Sequence, residues 1–115
     1  MAKTRKDLVY RALKNLGVLP SGQNPSDEEY DAVNDIADSV VEDLVERDVY
    51  FLQDIDAVPE NAFLPLGHVL AWAAASEFGM LGDQALAAKS QRAEMDLQII
   101  QSTRPTYQTL EIMPY

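Results

Sequence analysis

Cysteine is absent from the 115 residues, histidine occurs once, at His68, and tryptophan once, at Trp72. Without thiols the chain forms no disulfide and offers no thiolate metal ligand, and an intracellular origin is the expectation. One imidazole excludes the His pair that zinc sites are built on. The five glycines are scattered, so no phosphate-cradling loop is formed, and no Ser-His-acid set follows from spacing. His68 lies in the most apolar stretch of the chain and is read as a satisfied core or interface residue rather than a catalyst. The expectation is a protein that is not an enzyme, with no catalytic residue, no metal and no cofactor.

Long apolar runs are also missing. The longest nearly uncharged stretch, residues 61–76, contains Pro65, Gly67 and His68 and stops at Glu77, too short and too interrupted to span a bilayer. Residues 1–6 are polar and basic, without the apolar region of a secretory leader, so neither export nor a membrane location is expected.

Basic residues are scarce, nine against nineteen acids, for a net charge of −10. Their distribution is uneven. Residues 1–17 carry Lys3, Arg5, Lys6, Arg11 and Lys14 against Asp7 alone, while residues 26–60 carry thirteen acids and only Arg47. A field of that sign repels nucleic-acid phosphate, which disfavours sequence-specific DNA binding.

What is present is a set of helix signals. A chain of this length fits one domain with a modest core, and its 47% apolar content is well above that of disordered chains. Thr4 followed by Asp7 makes an imperfect capping box, Leu8, Ala12, Leu13 and Leu16 recur at helical spacing, and Gly17 supplies a stop. A first helix is predicted over residues 5–16. The connector 18–25 is rich in turn residues, and Ser26 with Glu29 opens a second helix. Tyr30, Val33, Ala37, Val40 and Leu44 fall on one face of it, and Asp31, Asp35, Asp38 and Glu42 on the other.

Residues 48–59 read as a connector whose aromatic residues, Tyr50 and Phe51, plug the core. The alanine-rich stretch 62–79 is apolar on nearly every face, as a central bundle helix should be, with Pro65 required near its first turn. Asp83 caps a fourth helix to about residue 102, with Leu86, Ala93, Leu97 and Ile100 inward. Arg104 and Pro105 stop it.

The fold class expected is all-α, a small bundle of four helices over residues 1–103, followed by an extended C-terminal tail over 104–115. That tail holds Tyr107, Leu110, Ile112, Met113 and Tyr115, more apolar than a solvated end requires. It either packs on its own bundle or docks on another chain. The carboxylate pairs Asp31 with Asp35 and Asp38 with Glu42 read as solvated surface. They also have the spacing for a weak divalent-cation contact, or for a wall that repels DNA.

The opening Thr4, Asp7, Leu8, Val9, Ala12, Leu13, Leu16, Gly17 and Val18, a T-x-x-D-L-V-x-x-A-L-x-x-L-G-V pattern, resembles that of tailed-phage head-to-tail connector proteins. The type is the podophage tail accessory factor, or packaged-DNA stabilisation protein. The acidic second helix, with Asp31-Ala32-Val33 and Asp35-Ile36, the alanine-rich third helix after Pro59, and the Arg104-Pro105 exit agree with it. The resemblance implies a virion structural protein made in the host cytoplasm and placed at the head-to-tail junction. It would form a homo-oligomeric, dodecameric ring under the portal protein and meet a downstream tail component, with DNA passing through without specific binding. The acidic stripe Asp31, Asp35, Asp38 and Glu42 would then face the channel, and the tail residues would dock on the portal or a neighbour. The competing reading is a small acidic cytoplasmic interaction or regulatory protein whose stripe imitates phosphate.

Overall fold

The structure, a computed structural model, describes residues 3–19, 23–80 and 82–103. Four α-helices are present among them: α1 (Arg5–Leu16), α2 (Asp27–Glu46), α3 (Glu60–Ala74) and α4 (Gln84–Thr103). The all-α bundle is as the sequence predicts. No helix among the described residues is long and apolar enough to cross a membrane.

Local chemistry sets most of the boundaries. Thr4 Oγ1 accepts the Asp7 N–H at 3.2 Å while the Asp7 carboxylate accepts the Thr4 N–H at 3.1 Å, a complete capping box. The bond from the Thr4 backbone, helped by the Thr4 hydroxyl, Lys3 and Lys6, holds the Asp7 carboxyl below its ordinary range. Gly17, at φ 80°, closes α1 in the left-handed conformation. Ser26 and Glu29 repeat the reciprocal cap at α2, with bonds of 3.2 and 3.0 Å. The far end of α2 is closed without glycine, since Asp48 itself takes φ 58° and Val49 N–H returns to the Leu44 carbonyl at 2.9 Å.

The connector after α2 buries Val49, Tyr50 and Leu52. Phe51 does not plug the core as expected: it is 47% exposed, because alternate residues of an extended segment point to opposite sides. The connector also pairs with the N-terminus, where Lys3 and Val58 exchange backbone bonds of 2.8 and 2.7 Å in an isolated antiparallel bridge. Val58 is fully buried there.

Helix α3 starts two residues earlier than predicted and stops earlier too, the chain tightening into a 3₁₀ turn over Ala75–Phe78 before Gly79 at φ 71°. Pro65 therefore stands in the second turn of α3, where its missing N–H removes the bond to the Asn61 carbonyl. The helix is the centre of the bundle and packs against α1, α2 and α4. Its small residues allow close approach: a Cβ added at Gly67 would lie 2.6 Å from Arg11 Cγ on α1. The core gathers Leu8, Leu13, Leu44, Leu66, Leu70 and Leu97 at 2% exposure or less, one or more from each helix. At roughly 2 kcal/mol for each buried leucine, this set is the main stabilising term. The Asp83 carboxylate accepts the N–H groups of Ala85 and Leu86 at 2.9 and 3.2 Å and so caps α4.

Candidate functional site

Residues 100° apart on a helix bring positions i, i+4, i+7 and i+11 onto one line, and Asp31, Asp35, Asp38 and Glu42 have that spacing. All four are exposed, directly opposite the buried Val33, Ala37 and Leu44. Asp27 begins the same ridge and Glu46 ends it, both exposed, so acid runs the length of a helix about 30 Å long. The ridge is not uniform. Arg5 on α1 reaches Asp38 at 2.8 Å and the Asn34 side-chain carbonyl at 3.2 Å, and its Nε lies 3.9 Å from Asp56. Asp38 is therefore partly neutralised, and among the described residues no cation is paired with Asp31, Asp35 or Glu42. The carboxylates line up without converging, and among the described residues no group of three or more His, Asp or Glu has the geometry to hold a metal ion.

The outer face of α4 has the opposite character. Met95 and Ile99 are each 58% exposed, and Ala88, Gln91, Gln98 and Ser102 share the exposed side of α4 with the cations Lys89 and Arg92. Alongside runs a groove between Leu64, Pro65 and His68 of α3 and Ala88, Lys89 and Arg92 of α4, with Leu64 55% exposed at its rim. Arg92 is tied to Asp96, one turn on, at 3.4 Å.

His68, expected as a satisfied core or interface residue, is half-buried. Its Nδ1 is buried with no hydrogen-bond partner among the described residues. Burial first, then the positive charges of Lys89 and Arg11, lower its pKa below the ordinary 6.5, so the ring is neutral at pH 7. Asn15 Nδ2, next to Gly67 at the contact of α1 with α3, is likewise buried and without a partner.

Sequence reading passed over Arg47, although it is the single cation between residues 26 and 60. Its guanidinium grips Glu94 of α4 with two bonds, Nη1 to Oε1 at 3.1 Å and Nη2 to Oε2 at 2.9 Å. Its Nε donates to Asp43 at 2.9 Å. This fork matches carboxylate geometry and fastens the end of α2 to the middle of α4, over a cleft floored by Val69 and Trp72. The lone cation in an acidic segment was the available signal. Its partner 47 residues away was not.

Tyr107, Leu110, Ile112, Met113 and Tyr115 lie outside the described residues, so the structure does not place the predicted tail contacts. Comparison of the chain with protein-family models, with curated proteins and with solved structures yields no match.

Proposed function

We propose that the chain is a structural subunit that works by assembly and not by catalysis, a head-to-tail adaptor of the tailed-phage connector type. Copies would form a ring beneath the portal protein and continue the DNA channel toward the next tail component. The observation that carries this reading is the acidic ridge of α2, exposed along its length and turned away from the core. A wall past which a polyanion must slide is best made of like charge, because phosphate is then repelled at every step and held at none. The opening pattern of α1 and the order of the four helices support the same assignment.

The test is to mix the purified chain with the portal ring encoded by the same genome and weigh the product by native mass spectrometry. A portal carrying a full ring of this chain is expected. A portal that stays bare would overturn the reading. Changing Asp31, Asp35, Asp38 and Glu42 to Asn or Gln should then leave the ring intact and slow DNA exit. Tight binding of the ridge to a basic protein, with no ring formed, would favour the regulator that imitates phosphate.

A further inference from the structure

The groove between α3 and α4 sets two cations, Lys89 and Arg92, against one acid, Asp96, in a chain of net charge −10. Its volume is about 350 Å³, near the lower end of the ~300–1,000 Å³ usual for ligand sites, so it takes one small group and not a large cofactor. Leu64, Pro65, Ala88 and Ala93 supply apolar walls.

The polar groups of the groove are donors. Arg92 commits only Nε to Asp96, at 3.4 Å, so among the described residues its two terminal nitrogens have no acceptor. Lys89 is exposed and, among the described residues, is engaged by no hydrogen bond or ion pair. His68 adds a third donor: its Nδ1 is buried without a partner, and a buried N–H left unpaired is rarer than an unpaired acceptor, which puts the proton of the neutral ring on Nε2. Donors with no competing acceptor call for an anion. Asp96 and the surrounding negative field favour one negative charge over two, and a guanidinium edge beside an ammonium suits the two oxygens of a carboxylate.

The shape narrows the choice further. The groove is open along its solvent side, with Leu64 55% exposed at the rim. A free fatty acid would leave much of its alkyl chain in water there. The last residue of a polypeptide needs cover only for its own side chain, while the rest of the chain leaves through the open side.

We propose that this groove captures the C-terminal residue of a partner polypeptide, with its free carboxylate on Lys89 and Arg92 and an apolar side chain against Leu64, Pro65 and Ala93. The site belongs to the single chain and does not depend on ring formation.

His68 is the one histidine of the chain, so its imidazole NMR signals report on the groove without overlap. N-acetyl-leucinate, a probe for such a chain end, should shift them saturably at pH 7. N-acetyl-leucinamide has the same side chain and no charge, and should bind at least about tenfold more weakly. Lys89→Gln with Arg92→Gln, both at exposed positions, should weaken the acid by a similar factor and leave the amide unchanged. Equal binding of acid and amide, no saturable shift with the acid, or acid binding unchanged in the double variant would overturn the proposal. Tighter binding of octanoate than of N-acetyl-leucinate would also overturn it and assign the groove to free fatty acids.

Discussion

Helices α2 and α4 are each 20 residues long and pack against the same central helix, yet their outer faces have little in common. Inside, α2 buries Val33, Ala37 and Leu44, and α4 buries Leu86, Ala93 and Leu97. Outside, α2 presents acid from Asp27 to Glu46, while α4 presents glutamine, alanine, Met95, Ile99, Lys89 and Arg92. Both helices bury an apolar face, so the outer difference is not a requirement of the bundle. It divides the surface into an acidic face and a mixed apolar and polar face.

The largest effect should come from the inner faces, where the two helices are alike. Leu44→Ala and Leu97→Ala each remove a side chain at 1% exposure or less and should each cost about 3 kcal/mol in urea unfolding. A markedly smaller cost at Leu97 would mean that α4 is not part of the common core and would break the comparison at its base.

The clasp between the helices comes next. Arg47→Gln should cost about 1 kcal/mol, and Glu94→Gln should add little once Arg47 is gone, because Arg47 is 45% exposed and solvent screens the pair. A double-mutant cycle in thermal unfolding reads the coupling. Additive losses would show that α2 and α4 are held apart from each other and joined only through α3.

Outer-face changes should be smaller and should differ in sign. Neutralising Asp31 and Asp35 to Asn removes a like-charge i, i+4 pair and should stabilise the chain by about 0.2–0.5 kcal/mol at low salt, a gain that fades as salt is added. Met95→Gln should leave stability within about 0.5 kcal/mol at any salt. A salt-independent response at the ridge would remove the electrostatic distinction between the faces.

The smallest effect separates them by pH. His68, in the groove beside α4, has a folded pKa below the ordinary 6.5, so the folded state resists taking up a proton that the unfolded chain accepts. Its contribution is complete above about pH 6.5 and is lost as the pH falls through the folded value. His68→Asn should therefore flatten the stability profile below pH 6.5 and leave it unchanged above pH 7, as followed by thermal melts across that range.

Sequence made legible whatever depends on neighbours within one helical turn. Thr4 with Asp7, Ser26 with Glu29, and Gly17 are local devices, and the helix boundaries they set lie where they were predicted. The acidic ridge was equally readable, because a 3.6-residue period alone decides which residues share a face. Asp48 escaped notice because a left-handed aspartate has no compositional mark comparable to glycine. The Lys3–Val58 bridge, the Arg47–Glu94 fork and the Gly67–Arg11 approach depend on which helices become neighbours, and no local pattern encodes that. Phe51 and Tyr50, adjacent aromatics in a connector, could not be told apart until the direction of the extended chain fixed which one faces inward.

The proposed role of the acidic ridge depends on where α2 lies in an assembled particle. A three-dimensional electron-microscopy reconstruction of the chain bound to the portal ring of its own genome measures that position directly. The predicted result is a ring in which Asp31, Asp35 and Glu42 line the central channel, with the α4 side turned away from it. A ring whose channel is lined by another helix, with the α2 ridge buried between neighbouring subunits, would contradict the account.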